Sequence, residues 1–489
     1  MKTKPAFFLA ALAATSGSFV ALQANPLTTA PTAQTQPQFV SLEMLARQAT
    51  FADADESAKA IEALRKAGPL GMNALVAASR STLMSVSDSS AQRKSGQWKR
   101  LASAFEKVGA QHDNWASKLY WFTDLEAAKA EAQKQNKPIL SLRLLGNLDE
   151  ELSCANSRFF RTALYPNAII SKTLSENYIL HWQSVRPVPK VTIDFGDSRK
   201  IQTTITGNSI HYILDSQGRV LDALPGLYGP GAFSRWLDRV QTVNKESVQL
   251  EGEARKSYLA NFHQKRSAEI MTNWKRDTAG LPGFFGTPFL IDAPLNLQNN
   301  KARNSQQIAQ SNTAPTLVAN VQQKANAQQV PALADRSTLP PTARNAGALP
   351  VSKMGGEIEM LQAFTIPIPR DRGALSLQSD DVLWKSVAAK HMADAILDEK
   401  ALEVLRSKTA RFQIVGATFE KTLAEDTVRN EYSRHTTIHG WLAENPNMDL
   451  QKLNARVYSE LFLTPDSDPW LGLLPEDAYT GIENDGVSR

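Results

Sequence analysis

The sequence predicts an α/β chain, with a mixed sheet flanked by helices in its middle and helical regions before and after it. Three observations predict this. Between residues 124 and 240, apolar runs of strand length alternate with stretches of helical spacing. Residues 41–110 and 380–463 show helical spacing alone. Residues 290–350 are rich in Asn, Gln, Ala, Thr and Pro, with too few large apolar side chains to offset the entropy of ordering them.

Taken in order, the chain opens with a secretory leader. Lys2 and Lys4 precede the uncharged run Ala6 to Ala14, and Leu22-Gln23-Ala24 offers a cleavage site, so residues 1–24 are expected to be removed. A membrane anchor needs about 18–20 unbroken apolar residues, and Thr15, Ser16, Gly17 and Ser18 interrupt this run too early. The expected location is periplasmic or secreted, with no transmembrane segment after cleavage. Residues 25–110 then form a helical N-terminal region. Leu42, Leu45, Ala60, Ile61, Leu64, Leu75 and Val76 fall at threes and fours, and Ala67-Gly68-Pro69 separates two helices.

Residues 111–245 carry the α/β pattern. Asp124 caps an Ala-rich helix that Asn136-Lys137-Pro138 ends, and Ile139 to Leu145 follows as a buried strand. A second helix runs through Phe159, Phe160 and Leu164, and a strand covers Tyr178 to Trp182. Val191–Phe195 and Ile201–Ile205 flank Gly196-Asp197 as a short hairpin, and Ile210–Leu214 and Val220–Leu224 flank Asp215-Ser216-Gln217-Gly218 as another. A helix at Ala232 to Val240, with Phe233, Trp236 and Leu237 on one face, closes this region. Beyond it lie a charged helix at 246–275, a flexible linker at 276–352 and a separate, mainly helical C-terminal domain at 353–489.

The formal charge of the 489-residue chain is +5, of which the two leader lysines account for 2, leaving 5 − 2 = +3. Near-balance without a dense basic run argues against nucleic acid as a partner. Cys154 is the sole cysteine, so no internal disulfide can form, and the thiol is either buried and inert or meets other molecules.

The order helix, Lys137-Pro138-Ile139-Leu140 strand, cysteine-bearing helix, strand, hairpin ending Leu224-Pro225-Gly226 and helix resembles the thioredoxin-like superfamily, over about a quarter of the chain. Redox members carry Cys-x-x-Cys at the start of the helix after that strand. Here Cys154-Ala155-Asn156-Ser157 aligns Cys154 with the attacking cysteine and puts Ser157 where the resolving one would be. The resemblance also implies a cis-proline before the last hairpin, where this chain has Gly207-Asn208-Ser209. One cysteine cannot run an internal dithiol cycle. It could still attack a disulfide and await an external thiol.

Two helix registers compete around Cys154. With Ser153 as N-cap, Cys154 sits in the first turn, with Arg158 and Arg161 on its face, all favouring the thiolate. Asn147 and Glu150 instead make a capping box that puts Cys154 in the second turn, and Asp149, Glu150 and Glu151 repel negative charge. A buried structural thiol is the commoner fate of a lone cysteine.

Glu431, His435 and His439 would share a helix face, a donor set that suits zinc, yet an exposed salt-bridged face accounts for them and no metal or cofactor is assigned. His181 and Trp182 end a strand and His211 lies on another; core histidines explain both. Asp466, Asp468 and Trp470 fall in a Pro-punctuated run read as local turns. The function expected is an exported thioredoxin-like scaffold that binds a protein or peptide in the bacterial envelope. The alternative is a monothiol oxidoreductase or isomerase with Cys154 as nucleophile, Arg158 as thiolate stabiliser and Ser157 as hydrogen-bond donor.

Overall fold

Four of the strand runs foreseen between 139 and 225 join a short strand at 121–122 in a five-stranded mixed sheet, and the other two pair as a separate hairpin. The structure, a computed structural model, describes residues 41–51, 53–87, 92–204, 207–279, 382–408, 412–468 and 471, with backbone alone at 382–383 and 412–418. The leader and nearly all of the expected linker lie outside these residues. The sheet is built from β1 (Trp121–Phe122), β2 (Ile139–Leu145), β3 (Ile179–Arg186), β6 (Ser209–Leu214) and β7 (Val220–Pro225), in the order β1-β3-β2-β6-β7. The β1, β3 and β2 strands run parallel, whereas β6 is antiparallel to β2 and β7 antiparallel to β6. Every residue of β2 is buried, as a central strand covered on both faces requires.

Local chemistry explains the connections. The helix α7 (Leu125–Gln135) links β1 to β2; the Asp124 carboxylate accepts from the Ala127 amide 2.7 Å away, and Asn136 at φ 52° ends the helix. The cysteine-bearing helix α8 (Ala155–Phe159) continues through a π-helical turn to Leu164, and α9 (Ala168–Asn177) leads into β3. Asp215 accepts from the amides of Gln217 and Arg219 to hold the β6–β7 turn. Between β3 and β6 the chain projects β4 (Lys190–Asp194) and β5 (Lys200–Thr204), which among the described residues pair only with each other. The short strand β1 was not foreseen, since two residues carry no period.

Among the described residues six α-helices precede the sheet: α1 (Leu42–Gln48), α2 (Ala54–Lys66), α3 (Pro69–Ala78), α4 (Arg80–Ser87), α5 (Gly96–Gly109) and α6 (Asn114–Ser117). Gly68 at φ 67° and Pro69 make the foreseen break between α2 and α3. Leu64, Leu75, Leu101, Phe105 and Val108 form a small core of their own among these helices.

Two helices follow the sheet, α10 (Pro230–Ser247) and α11 (Gly252–Thr278), the latter extending past the boundary at which the linker was expected to begin. After residues 280–381 come α12 (Val382–Lys390), α13 (Met392–Ala395), α14 (Glu399–Lys408), α15 (Phe412–Arg429), a π-helical turn at Asn430–His435, α16 (Thr436–Glu444) and α17 (Leu450–Arg456), which ends in a second π-helical turn at Val457–Leu461.

These C-terminal helices correct the expectation of a separate domain. Val387, Leu405, Leu423, Ile438, Trp441, Leu453 and Tyr458 belong to the same buried cluster as Leu142, Phe160, Tyr212 and Trp236. Polar contacts tie them down as well: the Gly229 amide donates to Thr427 Oγ1 at 2.8 Å, and Asn430 Nδ2 to the Leu227 carbonyl at 2.8 Å. The helical pattern was legible in the sequence, but its destination was not, because an apolar stripe does not say which surface it covers.

Close backbone approach makes this docking testable. A Cβ on Gly229, at the start of α10, would lie 2.2 Å from the Asp394 carbonyl oxygen. Its φ of −63° suits any residue, so the obstacle is purely steric. Gly229→Ala is expected to destabilise the protein by about 1–3 kcal/mol and to open the C-terminal helices to protease. A denaturation midpoint equal to that of the wild type would refute the docking.

Candidate functional site

Cys154 sits where β2 hands the chain to α8. It is itself the N-cap, at φ −62° and ψ 159°, so the helix begins one residue later than the Ser153 register expects. The Asn147–Glu150 pair does form, Nδ2 to Oε1 at 2.7 Å, but in the preceding turns and without starting a helix. The thiol is completely buried and lies in the main apolar cluster.

The polar side chains around it are occupied with backbone and with one another. Ser157 Oγ donates to the Cys154 carbonyl at 2.8 Å and lies 2.5 Å from Ser153 Oγ. Arg158, expected to steady a thiolate, donates to the Ser153 carbonyl at 3.3 Å and to Thr204 Oγ1 at 2.6 Å. Arg161 is buried and donates to the carbonyls of Glu150 and Glu151 and to Ser153 Oγ, with Asp113 at 3.5 Å. These arginines hold the loop before α8. Across from them, Asn156 Nδ2 donates to Ser209 Oγ at 2.8 Å, and a Cβ on Gly207 would stand 2.5 Å from Asn156 Oδ1. The segment 207–209 therefore faces the start of the cysteine helix.

Ligands of open α/β sheets usually sit beyond the carboxyl ends of the parallel strands. Here the chain's own C-terminal segment occupies that place. Arg186, the last residue of β3, donates to the carbonyls of Thr464 at 2.7 Å and Asp468 at 2.9 Å. Asn208 Nδ2 reaches Thr464 Oγ1 at 3.3 Å, the Tyr458 hydroxyl donates to the Asn208 carbonyl at 3.4 Å, and Tyr212 donates to Asn454 Oδ1 at 3.2 Å. Burial, with the thiol of Cys154 nearby, pushes the Tyr458 phenol well above its ordinary range. Arg143 of β2 is buried beside Tyr212 and Tyr458, and neither its Nε nor its Nη2 has a hydrogen-bond partner.

The remaining sequence candidates fall into two groups. His181 meets Ser141 Oγ through Nδ1 at 2.8 Å, and His211 meets the Tyr165 hydroxyl through Nε2 at 2.8 Å, its ring edge-on to Phe160. Burial pushes both imidazoles down to about 3, so both are neutral core histidines, as expected. Asp466 and Asp468 lie in the segment over the sheet end, whereas Trp470 lies outside the described residues.

Glu431, His435 and His439 are brought together, but the exposed face expected for them is a buried one, because β7 and α11 cover it. His435 and His439 are completely buried, and their rings stack at 4.3 Å. Two residues that sequence reasoning missed complete the group, Asp222 of β7 and His263 of α11. Asp222 Oδ1 is 3.8 Å from both His435 Nε2 and His439 Nδ1, and His263 Nδ1 is 2.9 Å from His439 Nδ1. Alternation along β7 could have placed Asp222 inward, and the α11 pattern could have done so for His263; neither signal names a partner.

Comparison with family models, with curated proteins and with solved structures gives no match.

Two outcomes follow from these surroundings. His112 lies between Glu106 at 3.1 Å and Glu151; burial disfavours its charge, but hydrogen bonds to both carboxylates outweigh this and hold it up at about 9. A folded value above the ordinary 6.5 gives stability that is full below 6.5 and lost as pH rises through about 9. Replacing His112 by Gln is expected to remove on the order of 2 kcal/mol at pH 6 and much less above pH 9, read from urea midpoints across that range. Arg143→Met removes an uncompensated buried charge and is expected to be neutral or to stabilise by about 1–2 kcal/mol; a loss of more than about 2 kcal/mol would show that the guanidinium has a stabilising partner.

Proposed function

We propose that this chain is an exported thioredoxin-like protein that serves as a protein-binding scaffold in the bacterial envelope and runs no thiol redox cycle. The sheet order β1-β3-β2-β6-β7, with its parallel and antiparallel halves, supports the thioredoxin-like reading. So do the cysteine at the helix start after β2 and the segment Gly207–Ser209 facing it. Export rests on the leader pattern of residues 1–24.

The observation that carries the scaffold reading is the burial of Cys154 beneath a segment of the same chain. Attack on a disulfide needs an accessible thiolate in line with the sulfur it displaces. A thiol buried in the apolar core offers no such approach. The resolving position holds Ser157, whose hydroxyl is engaged with the backbone, and Arg158 serves the loop rather than the sulfur.

The surface that suits a partner is the β4–β5 hairpin. It pairs with no other strand among the described residues, so both its edges offer backbone donors and acceptors. A two-stranded hairpin alone is marginal in water, and this one exposes Ile193 and Phe195, the latter only partly covered by the Arg199 guanidinium 5.3 Å from its ring. An extended peptide added to either edge would bury those side chains and complete the backbone pairing.

Alkylation of Cys154 in the folded chain decides between scaffold and enzyme. The thiol is expected to stay unmodified by iodoacetamide from pH 6 to 9 and to react fully once the protein is unfolded, and the folded chain is expected not to accelerate reduction of a protein disulfide. Stoichiometric alkylation of the native protein, with a midpoint well under the ordinary thiol value of about 8.5, would instead establish the monothiol enzyme.

A further inference from the structure

The buried group at the junction of β7, α11 and α16 contains more ligating chemistry than a folded core needs. Asp222 is a completely buried carboxylate, yet its hydrogen bonds come from neutral donors, the Ala223 amide at 2.8 Å and the Trp236 indole at 3.0 Å. Buried carboxylates are ordinarily paired with a cation or bound to a metal. The imidazole nitrogens nearest to it, His435 Nε2 and His439 Nδ1, stand at 3.8 Å, too far for a hydrogen bond. Both Nε2 atoms, of His435 and of His439, are buried without a hydrogen-bond partner.

The nitrogens confront one another in the same unresolved way. His263 and His439 point Nδ1 at Nδ1 across 2.9 Å, which a single proton between them can satisfy, and which a shared cation also satisfies.

We propose that Asp222, His263 and His439 form a binding site for a divalent cation of the zinc class, which clamps α11 and α16 to β7. One oxygen of Asp222 and one nitrogen of each histidine lie within 4.8 Å of one another. At metal–ligand bonds of about 2.1 Å, the observed separations of 2.9 and 3.8 Å subtend angles of roughly 90° and 130°. Both angles, which share His439, lie either side of the tetrahedral one, and the third separation, between Asp222 and His263, is within 4.8 Å. Two imidazoles and a carboxylate suit zinc better than magnesium or calcium, which prefer oxygen alone. Around this set, the Ala223 amide and the Trp236 indole orient the carboxylate, and His435 is bonded to Glu431 at 2.8 Å, with Arg266 on the other side of that carboxylate.

Zinc titrated into the metal-free full chain tests this. One equivalent is expected to remain through gel filtration and to raise the Tm, and cobalt in its place is expected to show visible absorption bands of nitrogen and oxygen ligation. His263→Gln and His439→Gln are each expected to weaken zinc binding by about a hundredfold or more, whereas His112→Gln, in the other cluster of suitable residues, leaves it unchanged. Should either variant fail to fold, hydrogen exchange at the imidazole C2 positions of the wild-type chain reads the same site: zinc is expected to slow it at His263 and His439 and not at His211. A folded wild-type chain that retains no zinc, or zinc binding that both variants leave intact, overturns the proposal.

Discussion

Both faces of the central sheet must be covered, and the covering on one side comes from residues more than two hundred positions away. Phe159 of the cysteine helix packs against Phe419 of α15, ring centres 6.0 Å apart, and Tyr212 of β6 is bonded to Asn454 of α17. Fully burying a side chain such as Leu or Phe stabilises by about 1.5–3 kcal/mol. The many such residues of α12 to α17 that join the sheet's cluster therefore make the C-terminal helices part of the fold itself. Everything polar at that junction is consequently cut off from water and has to find its partner within the protein.

Two polar layers meet that demand in different ways. On the N-terminal side, Asp113, Arg161, His112 and Lys408 tie three stretches of chain together through opposite charges, with Lys408 Nζ 2.5 Å from Asp113. Charge there is matched by charge. At the β7 junction Asp222 accepts from the Ala223 amide and the Trp236 indole, and the ring nitrogens of His263, His435 and His439 cluster beside that carboxylate. The meeting of one carboxylate with three imidazoles, and not the mere presence of histidine, distinguishes the second layer from the first and from His181 and His211.

Much of the sheet was legible from residue pattern alone. Ile139 to Leu145 is a continuous apolar run, save for Ser141 and Arg143, and only a strand covered on both sides calls for one. The two hairpins were marked by Gly196-Asp197 and by Asp215 to Gly218, whose turn chemistry is local. Two registers were left open for α8, starting from Ser153 or from the Asn147–Glu150 pair, and the helix takes neither: Cys154 is its N-cap, with Arg158 and Arg161 bonded to the loop before it. Local signals rank such alternatives poorly when side chains from elsewhere bind the same backbone carbonyls.

The site around His439 was legible only by half, for a reason that concerns dimension. Residues on one helix face announce themselves at intervals of three or four, so Glu431, His435 and His439 could be read as a row. Asp222 and His263 lie 217 and 176 positions before His439, on a strand and a different helix, and no spacing along the chain encodes that meeting. What the sequence does encode is the cost of the meeting. An aspartate inside a strand whose every residue is buried, Val220 to Pro225, is unstable without a compensating partner. The same reasoning applies to Arg143 on β2, whose flanking phenols bring no charge. Buried ionisable residues inside otherwise apolar strands are thus where a one-dimensional pattern points to chemistry it cannot describe, and in this chain Asp222 and Arg143 are two of them.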